Sequence, residues 1–405
     1  MRFSSFFYIV FATGLGLSAC KSKTGEQGEC PVIEFSQTDF LDLSPYMDEY
    51  RIALMESDPE SIFSEPDKMI VHQGKLFILD KTLKAVLCFD TTGKFNYRIQ
   101  RIGKGPREYV ELNAMWVNPE TEELWLESYT PGKIMVFGSD GTFRHEFPIE
   151  WASRDMARAG NNRIIGYNTT QAVHDQDELG IGLLLMDEEG RLKKPLLNIG
   201  SSAWYYALSN RRYLTESDGG LLVISQSDTI YSISPDGKVR EDFIADFGKL
   251  SMPARLRQLK YSHETSQLFK ESRYILGKDQ ILGFGPIRMF KVYLESKVFF
   301  ALADLDLLKG SFSMQIRHSS GPVPIFLPEC VTDNGELAGL LTRDVMVILR
   351  ESMSTAPSDP KMKDLNDRAL EILNRGISND RPVIWFAPIK KQWFTQKNNP
   401  YENKI

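Results

Sequence analysis

Phe89-Asp90-Thr91-Thr92-Gly93-Lys94-Phe95, Phe137-Gly138-Ser139-Asp140-Gly141-Thr142-Phe143, Met186-Asp187-Glu188-Glu189-Gly190-Arg191-Leu192 and Ile233-Ser234-Pro235-Asp236-Gly237-Lys238-Val239 are one pattern written four times. An apolar run ends, a polar turn closes on glycine, and a second run starts. The glycines stand 48, 49 and 47 residues apart. Such a turn needs a residue at positive φ, which glycine adopts without steric cost, and an Asp or Ser that bonds its own backbone. One Asp-Gly turn carries little information, but four in step define a repeat.

Each turn has an earlier strand upstream: Lys75–Asp80, Glu123–Glu127, Arg163–Tyr167 and Leu221–Ile224. Strand, loop, strand, glycine turn and strand at a period near 48 is the signature of a propeller blade. The rhythm loosens after Gly248. Ser251–Phe269 reads as an inserted helix, with Ser and Pro at its start. Strands are expected at Met289–Leu294, Lys297–Leu302, Val345–Leu349 and Pro382–Phe386. Between the last two, Leu365, Ala369, Ile372 and Leu373 share one face of a short helix. The expectation is an all-β, six-bladed β-propeller with short helical insertions in the C-terminal half. A propeller ring left open exposes sheet edges, so an N-terminal strand, Val32–Phe35 or Arg51–Leu54, is expected to complete the last blade.

The N-terminus sets the expected compartment. Arg2 precedes an apolar run, Phe6–Leu17, too short for a stable membrane span. The junction Leu17-Ser18-Ala19-Cys20 resembles the lipobox of bacterial lipoproteins, in which Cys20 is the lipid-attachment residue. Residues 1–19 then read as a signal peptide, 20–30 as a flexible tether and 31–405 as a single propeller domain. Lys21 rather than Asp after the cysteine favours the outer membrane by resemblance to lipoprotein sorting rules, with Lys21-Ser22-Lys23 in place of an acidic surface-export cluster. The expected position is a lipid anchor on the periplasmic face, with the cell surface as the alternative.

Composition narrows the function classes. The chain is 42% hydrophobic with a net charge of -6, and it lacks the basic patch that nucleic-acid binding needs. Besides Cys20 it has Cys30, Cys88 and Cys330, at no zinc-site spacing; Cys88 lies in an apolar run and reads as a buried thiol. His72, His145, His174, His263 and His318 form no metal-ligand pattern, and no Gly-x-Ser-x-Gly elbow is present. Asp175-Gln176-Asp177-Glu178-Leu179-Gly180 lacks the terminal bidentate Glu of a calcium loop. Gly103-Lys104-Gly105 has no following helix that would make it a phosphate loop. No metal and no cofactor is expected.

Ile102-Gly103-Lys104-Gly105-Pro106-Arg107-Glu108-Tyr109 resembles the Gly-x-Gly-Pro-Gly-Glu-Tyr segment of six-bladed β-propeller lipoproteins of Bacteroidetes, which are NHL-repeat-like in architecture. Leu87-Cys88-Phe89-Asp90, Asp228-Thr229-Ile230-Tyr231, Asp246-Phe247-Gly248 with Pro253, and Asn379-Asp380-Arg381-Pro382-Val383 support the resemblance. Arg107 departs from it, standing where the pattern has glycine between Pro and Glu. The resemblance implies the fold and an envelope location, and no particular activity.

Two inter-blade connections carry binding chemistry: Arg107, Glu108 and Tyr109 on one, and Trp204, Tyr205, Tyr206, Arg211 and Arg212 on another. Aromatic faces stack on sugars or apolar side chains, and Arg reads carboxylates. Packing between blades is the competing role for the same residues. The functional expectation is a non-catalytic binding or scaffold module, monomeric and membrane-tethered, for a glycan, peptide or envelope protein. The alternatives are a propeller enzyme (lyase, lactonase or glycan hydrolase) with a site at the channel mouth, and a purely structural envelope component.

Overall fold

The computed structural model describes residues 30–394, apart from 65, 150, 152, 161–162, 169–171, 175–176, 180, 201–211, 218–219, 226, 254–255, 257–258, 260–261, 265–266, 268–271, 296, 319–327 and 356–362. Among the described residues, the strands form six four-stranded antiparallel meanders. Blade 1 is Lys68–His72, Lys75–Asp80, Ala85–Asp90 and Phe95–Ile99. Blade 2 is Ala114–Val117, Leu124–Ser128, Lys133–Phe137 and Phe143–Pro148. Blade 3 is Asp155–Arg158, Ile164–Asn168, Ile181–Met186 and Leu192–Gly200. Blade 4 is Leu214–Ser217, Gly220–Val223, Thr229–Ile233 and Val239–Asp246. Blade 5 is Ile275–Phe284, Ile287–Leu294, Lys297–Asp304 and Lys309–Ser313. Blade 6 is Cys330–Val331, Glu336–Leu341, Val383–Pro388 and, from the N-terminal region, Arg51–Leu54.

The first strand of each blade contacts the first strand of the next, and that of blade 6 contacts that of blade 1, so the contacts run in a circle. Side chains alternate across each strand, giving every blade two faces to bury. In blade 1, Phe77 and Leu79 join the apolar cluster shared with blade 2, while Leu76 and Ile78 join the cluster shared with blade 6. Equivalent clusters lie between the other neighbours, with Trp116 and Met156 between blades 2 and 3, and Leu222 and Phe290 between blades 4 and 5. This mutual burial of small sheets makes the chain a β-propeller.

The two N-terminal strands divide the closing role. Arg51–Leu54 pairs antiparallel with Val383–Phe386 and completes the last blade. Val32–Gln37 instead runs parallel to the outer strands of blades 4 and 5 and links them into one nine-stranded sheet. It therefore covers two outer edges at once.

All four repeat glycines adopt positive φ: Gly93 +89°, Gly141 +80°, Gly190 +78° and Gly237 +80°. In blade 1 the Asp90 carboxylate accepts from the Thr92 and Lys94 backbone N–H groups at 2.8 and 3.0 Å. The blade 5 turn puts Leu308 at φ +50°, with no glycine. Gly93 has a second constraint, because a Cβ there would lie 2.7 Å from the Leu54 carbonyl oxygen of the closing strand. Gly74, at φ +74°, has nothing within 4 Å. Gly74→Ala is expected to cost about 1 kcal/mol, the backbone penalty alone. Gly93→Ala is expected to cost roughly 2–3 kcal/mol, because it also strains the closing strand. Urea unfolding of the two variants measures the difference.

One expected strand is corrected. Val345–Leu349 lies in a helix, Arg343–Thr355, and the strand of that region is Glu336–Leu341. Helical spacing puts Met346, Leu349 and Met353 on the buried face and leaves Ile348 60% exposed. The Thr342 carbonyl accepts the first turn's bond from Met346 N–H at 2.9 Å, and Asp344 occupies the first turn, where a negative charge favours the helix dipole. The second expected helix is present and longer, Lys363–Asn379. It ends at Asp380 in the left-handed region (φ +53°), with Pro382 beyond. The proposed helix at Ser251–Phe269 lies largely outside the described residues. Cys88 is buried and Cys30 and Cys330 are half-buried, and no disulfide joins these three.

Candidate functional site

Antiparallel alternation fixes which loops share a face. The turns between third and fourth strands, closed on glycine in blades 1 to 4, lie at one end of the blades. The loops between second and third strands, and the connections between blades, lie at the other end. At that second end the first strands begin, and there the charged groups gather.

In two of the first three blades the second strand is apolar until it reaches a carboxylate near its end: Asp80 in Lys75–Asp80 and Glu127 in Leu124–Ser128. Both are fully buried. Asp80 accepts from Ser64 N–H and Oγ at 2.6 and 2.8 Å and from Leu83 N–H at 2.8 Å, shaping the loop that follows it. Glu127 Oε1 accepts the Ser153 N–H at 2.7 Å, and Oε2 has no hydrogen-bond partner among the described residues. Burial pushes the Glu127 carboxyl up to about 8 with the help of nearby Asp155, against the pull of the Ser153 N–H, Lys81 and Lys68. Glu127 is therefore a neutral acid at pH 7.

Asp155, at the start of blade 3, carries the opposing charge. Its Oδ2 accepts the N–H groups of Tyr213 and Leu214 at 2.9 Å each, tying blade 3 to blade 4. Its Oδ1 accepts Met156 N–H at 2.9 Å and lies 3.5 Å from Lys68 Nζ of blade 1. Arg212, just before blade 4, crosses the channel. Its Nε donates to the Asp67 carbonyl at 2.7 Å, beside blade 1, and its Nη1 donates to the Glu329 carbonyl at 3.1 Å, beside blade 6. Its Nη2 pairs with Glu329 Oε2, which also accepts from Gln280 Nε2 of blade 5 at 2.9 Å. Burial alone would raise the Glu329 carboxyl; Arg212, Lys291 and the Gln280 bond outweigh it and hold the group below its ordinary value.

Beside this knot, on the blade 1 to blade 3 side, is a cavity of about 260 Å³ lined by Lys81, Lys84, Glu111, Leu112, Asn113 and Arg154. The Asp80–Lys84 loop that forms one wall is held on all sides. Asp67 accepts Lys81 N–H at 2.8 Å, Gln100 Nε2 donates to the Leu83 carbonyl at 2.7 Å, and Tyr109 Oη donates to the Lys84 carbonyl at 2.8 Å. Lys84 itself stands at φ +54°, an unfavourable backbone state for a lysine. Burial lowers the Lys81 ammonium from its ordinary value, while Asp155 and Asp67 act to raise it.

The structure explains the Ile102–Tyr109 segment through this wall. Its ends pair, with Gly103 N–H to Tyr109 O and Tyr109 N–H to Arg101 O, both at 2.9 Å. Glu108 turns inward and accepts Gly105 N–H at 2.9 Å. A Cβ on Gly103 would sit 2.0 Å from Glu108 Oε2, so glycine is required for that inward turn. Tyr109 is fully buried, and its hydroxyl supports the Lys84 loop. Arg107 takes φ +62° as a non-glycine residue, its N–H on Glu146 at 3.1 Å and its guanidinium 5.0 Å from the Phe143 ring centre. That cation–π contact, worth about 0.5–1 kcal/mol at an exposed site, offsets much of the left-handed penalty of about 1 kcal/mol.

Of the expected binding residues, Arg107 is exposed, Glu108 bonds within its own loop, Tyr109 is core and Arg212 is bonded across the channel. Trp204, Tyr205, Tyr206 and Arg211 lie outside the described residues, as does Cys20. Sequence reading missed Lys68, Lys81, Glu127, Asp155 and Glu329. The signal available was a carboxylate closing an otherwise apolar strand, as in Lys75–Asp80 and Glu123–Glu127. Among the described residues no three His, Cys, Asp or Glu side chains converge as metal ligands, and no helix is long and apolar enough to cross a membrane.

These features define a β-propeller whose channel is crossed by a buried charge network, with a small basic cavity at the mouth. The chain belongs to the family described as Domain of unknown function (DUF4934), whose model matches residues 30–384. No curated protein matches it. A solved structure of a Bacteroides fragilis protein described as exported is similar at 13% identity, with a TM-score of 0.68, covering 89% of this chain and all of that one. A duf4221 family member from Bacteroides vulgatus is 8% identical with a TM-score of 0.45, covering 85% of this chain and 97% of that one.

Proposed function

We propose that this protein is an exported, lipid-anchored lipoprotein whose six-bladed ring presents its channel-mouth face as a non-catalytic binding module for a glycan, peptide or envelope protein. The observation that carries the reading is how the buried charges are used. Asp155 and Glu329 are committed to backbone N–H groups and to Arg212, holding blades together, while the basic groups at the mouth line an open cavity. A fixed polar frame around a small pre-formed pocket suits recognition. Export is supported by the Arg2 and Phe6–Leu17 leader pattern and by the exported Bacteroides structural relative. The outer membrane, periplasmic side, is the proposed location, on the residues that follow Cys20.

The test is a thermal-shift screen of glycans and peptides on the full chain, with mass analysis of each ligand after release. The expected result is a saturable shift by at least one ligand class and recovery of that ligand intact. Recovery of shortened or unsaturated products would replace this reading with an enzymatic one. The anchor has its own test: growth with an alkyne fatty acid should label the wild-type chain, and Cys20→Ser should abolish labelling and release the protein from the membrane fraction.

A further inference from the structure

We infer that the mouth cavity between blades 1 and 3 is a binding site for a single carboxylate on a small ligand, with Lys81 as its anchor and Arg154 and Lys84 completing it; this deepens the binding-module reading and rests on it. Three cations, Lys81, Lys84 and Arg154, line the cavity against one anion, Glu111. Among the described residues none of the three cations is in an ion pair, and no side-chain hydrogen bond satisfies the Lys81 ammonium. Two neighbouring cations are paired instead: Arg212 with Glu329 and Lys68 with Asp155. The positive charge left unpaired therefore faces a cavity with room for a small ligand.

Preorganisation is the second observation. The Asp80–Lys84 loop is fixed by Asp80, Asp67, Gln100 and Tyr109, with Lys84 held at φ +54°. Asn113 is oriented by donating from Nδ2 to the Ser153 carbonyl at 3.2 Å, and Arg154 N–H is bonded to the Tyr167 carbonyl at 2.9 Å. A wall built this way lowers the ordering cost of binding. Size and charge narrow the ligand. About 260 Å³ is just below the ~300 Å³ at which drug-sized sites begin, so one sugar ring or one amino-acid residue fits. Asp155 and Asp67 lie close enough to act on Lys81, and with Glu111 they oppose a dianion. A monovalent carboxylate, on a sugar acid or at a peptide C-terminus, meets both conditions.

Calorimetry on the full chain tests this with D-glucuronate against D-glucose, and triglycine against triglycinamide, the two pairs separating sugar-acid from peptide sources. The expected result is binding of one acid and not of its neutral partner. Lys81→Met should weaken it by about 10- to 100-fold, the loss of a charge-assisted bond. Arg154→Gln, at an exposed position, should weaken it several-fold without changing the unfolding midpoint. The inference is overturned if neither acid binds, if both variants bind as the wild type does, or if inorganic phosphate binds as tightly as the carboxylate. A neutral glycan or protein bound equally by wild type and Lys81→Met would overturn the carboxylate site and leave the binding-module reading standing. A cleaved ligand would overturn that reading whatever Lys81 does.

Discussion

Glu127→Gln is expected to leave stability unchanged near pH 4 and to raise it by roughly 4 kcal/mol at pH 8, a gain in a position where polar substitutions ordinarily cost. The sign follows from proton linkage. The Glu127 carboxyl is raised to about 8 in the folded chain, against about 4.3 unfolded. Between those values the folded state keeps a proton that the unfolded state has released, so stability falls as pH rises. At about 1.4 kcal/mol per unit, the fall accumulates over more than three units. Gln retains the acceptor for the Ser153 N–H and titrates nowhere in this window. Urea unfolding of both proteins from pH 4 to pH 9 gives the comparison; parallel curves would mean that Glu127 is ionised in the folded state and that the charge network is wrongly described.

Arg212→Met should cost about 3 kcal/mol at neutral pH, because it leaves the largely buried Glu329 carboxylate with the Gln280 bond and the more distant charge of Lys291. Adding Glu329→Gln should restore a large share of the loss, since removing both charges is far less harmful than stranding one. The pair also has a pH signature opposite to that of Glu127. The Glu329 carboxyl is lowered in the folded state, so its stabilisation is present above the unfolded value of about 4.3 and lost as pH falls through the folded one. The double variant should lack that acid-side loss. Equal stability of Arg212→Met and wild type would show that this contact does not hold the blades together.

Most of the fold was legible because its signals are local. The four glycine turns mark a constraint on φ that only nearby sequence expresses, and alternating apolar strands flank each of them. Where a turn or strand is built from other residue types, the repeat is not visible. The blade 5 turn uses Leu308 at φ +50°, held by Asp304 accepting the Asp306 and Leu307 N–H groups at 3.1 Å, so the repeat vanishes from the sequence there. Val345–Leu349 is apolar and β-branched enough to pass for a strand, although Met346, Leu349 and Met353 already carried helical spacing. Glu336–Leu341, with Gly339 in its middle, lacked β-branched residues altogether. Val32–Gln37 and Arg51–Leu54 had similar alternation, and their separate partners depend on strands 200 or more residues away.

The site was less legible for the same reason. Lys68, Glu127, Asp155, Arg212 and Glu329 come from five blades and meet only when the ring closes. The Ile102–Tyr109 segment was correctly singled out by pattern, but its principal role is indirect. Glu108 and Tyr109 build the wall that positions Lys81 and Lys84 and do not offer their own polar groups to solvent.

Amide hydrogen exchange on the full chain, with and without a partner captured from its own envelope fraction, tests most directly whether the channel-mouth face is the working face. New protection is expected in residues 81–84, 111–113 and 153–154, with the turns at Gly93, Gly141, Gly190 and Gly237 unchanged. Protection confined to those glycine turns, with the mouth exchanging as freely as before, would contradict it.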